Sequence, residues 1–336
     1  MNFNDLNKEK KSLFNLDSIK FTLDMMNDLD IKKLYFNGGA IFNQNKLKKK
    51  YEIFDWDIHL ISGENGTNEI FNKLKKVSVK LKGFERRGTA SSLKSLIFYY
   101  LGKKIDFQIK KDFYLPEENC TFDIDSICLI LERNEKNFYI QNFQALDAFN
   151  TGIIKLQAPQ SDIYRIIRRI LTLIGKYNIT KFIIEKNKEI ILNQDNSKVI
   201  EDLFKQEKRN NIEILKKTDK TKASCLIKFF CMCYRVKDLY DYIKIVLNSH
   251  LFDKIFPELS LAMKNDKFLQ EIKKESEKNE NDRVINSQND IFEIIMKYNK
   301  NNIKLCKELL IIKNSEFNEI NLDKIENIIC KNTNIN

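Results

Sequence analysis

Histidine is scarce in this 336-residue sequence, and long apolar runs are missing from it. Its only histidines are His59 and His250, and a single residue separates Cys231 from Cys233, whereas the cysteines of structural zinc pairs usually lie further apart. A structural zinc site is therefore not expected. No run approaches the roughly 18 apolar residues of a membrane span, and the first residues do not resemble a signal peptide. The seven cysteines are expected to be reduced thiols, in the cytoplasm or another reducing intracellular compartment.

Positive charge is in excess. The sequence has 58 Lys and Arg against 47 Asp and Glu, which gives a net charge of +11. Such an excess favours an anionic partner, either nucleic acid or a nucleotide. The alternative is a solvated surface whose lysine content reflects an AT-rich genome.

The spacing of apolar residues divides the sequence into a mixed first part and a helical second part. The first part predicts helices over 4–30 and 68–82, strands over 34–39 and 53–61, and a hairpin over 95–109 that turns at Gly102-Lys103-Lys104. From Ser161 onward the pattern is nearly all helical, with a polar linker candidate at 274–290. We therefore predict an α+β fold with three regions, which are 1–115, 116–195 and 196–336.

Acidic and apolar residues alternate in the predicted strand 53–61. Because successive side chains of a strand point to opposite faces, Asp55, Asp57 and His59 are expected on one face. The other face takes the apolar set, which is Phe54, Trp56, Ile58 and Leu60. In the strand 105–109, Asp106 lies opposite the apolar face in the same way. If the two strands pair, three carboxylates meet on one face of the sheet.

Carboxylates this close repel one another unless a cation lies between them. Hard oxygen ligands suit Mg²⁺ (or Mn²⁺), which shares its coordination with substrate phosphates. A set of three acids predicts a centre for two metal ions, in which Asp55, Asp57 and Asp106 are both the ligands and the catalytic residues. The alternative is a half-buried strand with ordinary surface acids.

The residues around these acids carry a family resemblance. Gly38-Gly39-Ala40 closes one strand, Asp55-Trp56-Asp57 lies on the next, and Asp106 follows on a later strand. This order resembles the polymerase-β nucleotidyltransferase superfamily. Three later segments are similar to motifs of class II (bacterial-type) CCA-adding enzymes and poly(A) polymerases, namely FDIDSICL (122–129), LDAFNTGIIKL (146–156) and SDIYRIIRR (161–169).

The resemblance implies a nucleotidyltransferase palm over 1–115, a neck that recognises the base over 116–195, and a helical, RNA-binding body over 196–336. It implies that Gly38 and Gly39 approach the triphosphate of the substrate, which we expect to be ATP. It also implies that Asp162 and Arg165 of the neck helix read the incoming base, and that Arg168 and Arg169 are further nucleotide-binding residues.

The sequence departs from the family at two places in the expected triphosphate site, and also at Ser161, which precedes Asp162 where the family has Glu. Phe42 and Asn43 occupy the positions where the family has an Arg-Asp pair that touches the triphosphate. Asn119-Cys120-Thr121 replaces a second motif, Arg-Arg-Asp, that holds the ribose and the phosphates. The first two departures remove positive charge from the expected triphosphate site.

We therefore predict a template-independent nucleotidyltransferase that adds nucleotides, with AMP as the expected one, to an RNA 3′ end in a tRNA-like or mRNA-like molecule. This activity belongs to RNA 3′-end processing, as polyadenylation or as tRNA processing. Two alternatives remain open. One is a catalytically degenerate subunit that binds RNA or nucleotides, and the other is an enzyme that transfers a nucleotide to a protein or a small molecule.

Overall fold

A computed structural model describes most of the chain, and its residues fall into two compact units. The first unit is Met1–Asn45 with Lys49–Ala158, and the second is Lys46–Lys48 with Pro159–Asn336. The described residues are 1–48, 55–61, 82–89, 92–110, 120–133, 138–157, 162–210, 215–278, 285, 287–299, 302–314 and 327. The predicted helix over 68–82 lies outside them, except for Lys82, which begins a strand.

The first unit is built on a seven-stranded mixed sheet. Its strands are β1 (Lys33–Asn37), β2 (Asp55–Ile61), β3 (Lys82–Thr89), β4 (Ser92–Tyr100), β5 (Lys103–Lys110), β6 (Cys128–Glu132) and β7 (Tyr139–Gln141). They are arranged in the order β3-β4-β5-β2-β1-β6-β7. Only the β2–β5 pair is parallel, and the other pairs along this order are antiparallel. The described residues of this unit also form α1 (Lys8–Ser12), α2 (Leu16–Asp28), α3 (Asp147–Thr151), β8 (Ile153–Lys155) and several short 3₁₀ turns.

One face of this sheet is apolar and is covered by α2. The buried side chains on this face include Leu34, Phe36, Trp56, Ile58, Ile105 and Phe107. Phe21 on α2 packs on Trp56, with 5.0 Å between the ring centroids. Tyr100 on β4 donates a hydrogen bond of 2.7 Å to Asp28 at the end of α2, and burial together with this carboxylate raises the pKa of Tyr100 to about 12. The predicted alternation is therefore confirmed for the described apolar side chains of β2 and β5.

The N-terminal segment predicted to be helical over 4–30 is helical over most of that range, but it is divided into two helices, α1 and α2. The break lies between α1 and α2, where Phe14 forms a bridge with Phe42. The side chain of Asn15 then accepts a hydrogen bond from the Ser18 amide and caps α2. Asparagine is among the preferred N-cap residues, so the second helix begins after it.

The predicted hairpin between β4 and β5 is confirmed, with a tighter turn than expected. Leu101 and Gly102 have φ angles of 47° and 78°, and Lys103 and Lys104 already belong to β5. Positive φ at both central residues is typical of the two-residue turn that suits the twist of antiparallel strands.

The second unit is mainly helical. Its helices are α4 (Ile163–Lys176), α5 (Ser197–Asn210), α6 (Leu215–Arg235), α7 (Leu239–Asn248), α8 (Pro257–Met263), α9 (Asp266–Glu277), α10 (Gln288–Tyr298) and α11 (Ile303–Leu309). The linker predicted over 274–290 is wrong at both ends, because α9 continues to Glu277 and α10 begins at Gln288. Among the described helices, none is both long and apolar enough to cross a membrane.

A β-hairpin in the second unit is an exception to the predicted, nearly all-helical pattern from Ser161 onward. Its strands are β9 (Lys181–Glu185) and β10 (Lys188–Ile191), which pair antiparallel. Asn187 in the connection has a φ angle of 68°, a conformation that asparagine tolerates better than most residues. Phe182, Ile184 and Ile190 on these strands are buried.

Candidate active site

The glycine turn after β1 packs directly against an acid of β2. Gly38 has φ 81° and ψ −169°, a combination that is essentially restricted to glycine. A Cβ atom at Gly38 would lie 2.5 Å from Oδ2 of Asp57. The next residue, Gly39, begins a short 3₁₀ turn, and the side-chain amide of Gln44 donates to its carbonyl. The glycines therefore let the turn touch the Asp57 carboxylate, and buried Gln44 holds the turn in place.

Three polar residues from three adjacent strands form a row next to this turn. Asn37 on β1 is in register with Asp57 on β2, and Asp57 is in register with Asp106 on β5. Residues in register on neighbouring strands lie about 5 Å apart and project from the same face. Because Ile58 and Phe107, the next residues along β2 and β5, lie on the face covered by α2, the row lies on the opposite face. The structure therefore brings Asp57 and Asp106 together.

Asp55 precedes Asp57 by two residues on β2 and is in register with Lys104 on β5. Its side chain lies outside the described part of the structure. Among the described side chains, no group of three His, Cys, Asp or Glu residues converges on a possible metal position. The set of three carboxylates therefore stays a prediction, because the described side chains include two of its members, Asp57 and Asp106.

The electrostatics of this row favour a bound cation. Like charges directly opposite each other on adjacent strands destabilise a sheet, and the half-buried Asp57 and Asp106 are such a pair. Oδ1 of Asp106 is inaccessible to solvent, so water does not screen it. Carboxylate oxygens in this arrangement fit Mg²⁺ or Mn²⁺, which bind through a few carboxylates and complete their coordination with water and phosphate.

Asn37 and His59 are two buried polar residues beside the acids. Asn37 is 7% exposed, and its Nδ2 lies 3.4 Å from Nε2 of His59. His59 is also buried, two residues after Asp57. Sequence reasoning missed Asn37, although an asparagine that ends an apolar strand immediately before a glycine pair was a usable signal.

Phe42 and Asn43, which replace the Arg-Asp pair of the family, face the N-terminal segment. The Phe42 ring packs on Phe14 and Phe149 at centroid distances of 5.4 and 4.7 Å. Nδ2 of Asn43 donates to the carbonyls of Ser12 and Phe14 at 2.8 and 3.1 Å. These two positions therefore hold the loop after the glycine turn against the break between α1 and α2.

The segments FDIDSICL and LDAFNTGIIKL lie against each other. Phe122 and Leu156 form a bridge, and Oδ1 of Asp123 accepts hydrogen bonds from the amides of Ile124 and Lys155 at 2.8 and 3.2 Å. Burial raises the pKa of the Asp123 carboxyl, and the two amide hydrogen bonds partly oppose this effect. The two motif-like segments thus form one local structure.

Helix α4 carries the predicted base-reading residues. Asp162 is its N-cap residue and accepts a hydrogen bond of 2.8 Å from the Arg165 amide. The helix was predicted to start near Ser161, and in the structure it begins at Ile163, directly after Asp162. Arg165 is exposed, and Arg169 is half-buried. Arg168 donates to Oγ of Ser224 on α6 at 3.3 Å, and burial lowers the pKa of its guanidinium. Asp162 and Arg165 are therefore neighbours, and their roles stay predictions.

Comparisons with known proteins give structural matches alone. No protein-family model and no curated protein matches the sequence. A CCA-adding enzyme in complex with ATP matches with a TM-score of 0.54 and 13% identity, over 94% of this chain and 69% of that one. A tRNA-processing enzyme complex matches with a TM-score of 0.51 and 13% identity, over 86% and 75%. At this identity the similarity concerns the fold. The chain therefore has the α+β fold of CCA-adding enzymes, which confirms at the level of the fold the nucleotidyltransferase resemblance seen in its motifs.

Proposed function

We propose that this protein is a template-independent nucleotidyltransferase that extends RNA 3′ ends, with ATP as the expected substrate. The observation that carries the proposal is the pair of carboxylates, Asp57 and Asp106, in register on one face and directly beside the Gly38 turn. The fold, which is also that of a CCA-adding enzyme solved with ATP, supports the same conclusion.

The residues of the row and the adjacent glycine turn are proposed to have different roles in the reaction. Asp57 and Asp106, with Asp55 as the expected third acid, would hold Mg²⁺ or Mn²⁺. The backbone of Gly38-Gly39 lies close to the Asp57 carboxylate, so it could contact the triphosphate of the nucleotide that binds the same metal ion. A bound divalent ion would neutralise phosphate charge and lower the pKa of the attacking hydroxyl. The RNA 3′ hydroxyl would lose its proton to solvent, and its oxygen would bond to the α-phosphorus as the bond from the α-phosphorus to the leaving pyrophosphate breaks.

Base and RNA recognition are assigned to the second unit. Asp162 presents an acceptor and Arg165 presents donors at the start of α4, which is the combination needed to pair with the edge of a base. Arg168 and Arg169 follow one turn later as further candidates for nucleotide contact. The net charge of +11 supports binding of the RNA backbone.

The test is incorporation of each labelled nucleoside triphosphate into total RNA with Mg²⁺ or Mn²⁺. We expect one nucleotide, AMP, to be preferred. Asp57→Asn and Asp106→Asn should each lower incorporation by at least about 100-fold, because each removes a group that stabilises charge in the transition state. Asp5→Asn is the matched control, since it also removes one carboxylate of the first unit but from an exposed turn. Full activity of Asp57→Asn would overturn the proposed mechanism.

A second candidate is a catalytically degenerate subunit that binds RNA or nucleotides. Phe42 and Asn43 favour it, because their side chains contact the N-terminal segment at positions where the family grips the triphosphate. RNA binding without incorporation of any nucleotide would support this candidate. Label that appears in a protein band or a small molecule, and not in RNA, would instead indicate a different acceptor.

A further inference from the structure

Asn37 has a polar atom that the fold leaves without a partner. Its side chain is 7% exposed, and its Oδ1 atom is inaccessible to solvent and accepts no hydrogen bond from the described residues. Its Nδ2 atom, in contrast, lies 3.4 Å from Nε2 of His59. A buried amide oxygen that lacks a donor destabilises the folded state, and native structures rarely retain one without a reason.

The position of Asn37 connects this oxygen to the acidic pair. Asn37 is in register with Asp57, which is in register with Asp106, so all three side chains project from the same face. Gly38, the next residue, touches the carboxylate of Asp57. The amide oxygen therefore belongs to the same polar row as the two carboxylates.

The chemistry of the row indicates what this oxygen binds. Amide and carboxylate oxygens are hard ligands, and both suit Mg²⁺ and Mn²⁺. A third carboxylate at position 37 would add to the repulsion between Asp57 and Asp106, whereas an amide supplies an oxygen without a further negative charge. An apolar residue would fill the site without leaving a buried acceptor, but it would supply no ligand.

We propose that Asn37 is a metal-binding residue, whose Oδ1 atom is an oxygen ligand for the divalent cation that Asp57 and Asp106 hold. This inference rests on the proposed function, because it assigns one more ligand to the same centre. The hydrogen bond between Nδ2 and His59 orients the amide, so that the oxygen and not the nitrogen is presented to the cation.

The experiment measures binding of Mn²⁺ alone to the full chain, from the electron paramagnetic resonance signal of the free ion. Asn37→Leu keeps a branched side chain and removes the oxygen, and we expect Mn²⁺ to bind about 10-fold more weakly. Asn37→Asp keeps the oxygen, so its Mn²⁺ binding should equal or exceed that of the wild-type protein. His59→Leu removes the hydrogen-bond partner of Asn37 and leaves the oxygen, so it should weaken Mn²⁺ binding, but less than Asn37→Leu does. Thermal unfolding of each variant verifies that it folds.

The outcomes separate this inference from the proposed function. If Asp57→Asn loses Mn²⁺ binding and Asn37→Leu does not, Asn37 is not a ligand and the proposed function stands. Equal weakening in Asn37→Leu and His59→Leu would mean that Asn37 acts only through its contact with His59, which also overturns the proposal. Absence of Mn²⁺ binding in the wild-type protein, or its full retention in Asp57→Asn, would overturn both.

Discussion

Two glycines with nearly the same φ angle differ in what surrounds them. Gly38 has φ 81° and lies against the Asp57 carboxylate, whereas Gly102 has φ 78° and has no atom within 4 Å of the position a Cβ would take. Any residue other than glycine would have a strained backbone at either position, because φ is positive. Only at Gly38 would its Cβ atom also displace an acid of the candidate site. The pair therefore separates backbone strain from disruption of the site.

We expect Gly102→Ala to lower the free energy of unfolding by about 1–2 kcal/mol, because it places an L-residue at positive φ, and Gly38→Ala to lower it by at least as much, because its Cβ also meets the Asp57 carboxylate. Gly38→Ala should in addition lower nucleotide incorporation by about 100-fold, since it moves the Asp57 carboxylate out of position. Gly102→Ala should leave incorporation unchanged. Urea unfolding and the labelled-nucleotide assay measure the two effects. Full incorporation by Gly38→Ala would show that the turn does not constrain the site.

The acids of the site could be predicted from the sequence, and their supporting residues could not. Alternation along β2 and β5 is a local property, so it predicted that Asp57 and Asp106 project away from the apolar face. Gln44 under the glycine turn and Asn37 beside Asp57 depend on contacts between segments. The position of Phe42 could not be predicted either, because its ring packs on Phe149, a residue far away in the sequence.

At the scale of elements, local patterns identified the β4–β5 hairpin and missed β9–β10. The first has apolar strands on both sides of Gly102. The second, KFIIEKNKEII, has lysines and glutamates that suit the surface of a helix equally well, and strand preference depends strongly on tertiary context. Burial of Phe182 and Ile190 in the folded unit decides in favour of the hairpin.

Helix α4 allows the structural role of Asp162 to be separated from its proposed role in reading the base. Asp162→Ala removes the cap and should lower the free energy of unfolding by about 1 kcal/mol, whereas asparagine is an equally good N-cap residue. Asp162→Asn should therefore keep the stability of the wild-type protein, while it replaces one acceptor with a donor and alters the preference among the four nucleotides.

Urea unfolding and competition between labelled nucleotides measure these two properties of the Asp162 variants. Unchanged nucleotide preference in a stable Asp162→Asn protein would limit Asp162 to its role as a cap.

At the scale of the whole molecule, the sequence predicted a mixed first part and a helical second part. The extent of the first compact unit was harder to predict, because it depends on long-range pairing. β6 pairs with β1, and the first unit extends to Ala158. The functional division at residues 115 and 195 stays a prediction, since it concerns which residues contact the base and the RNA.

The net charge of +11 leads to a prediction about the whole protein and its proposed RNA partner. Binding of single-stranded RNA releases counterions, so the logarithm of the affinity should fall linearly with the logarithm of the salt concentration, by about 0.7 for each neutralised phosphate. With about five such contacts, affinity should fall about 100-fold between about 50 and about 200 mM salt. Fluorescence anisotropy of a labelled oligonucleotide measures the slope. A morpholino oligonucleotide of the same sequence, which has an uncharged backbone, should bind weakly and with little dependence on salt. An RNA affinity that is constant over this range would mean that the positive charge has no part in RNA binding.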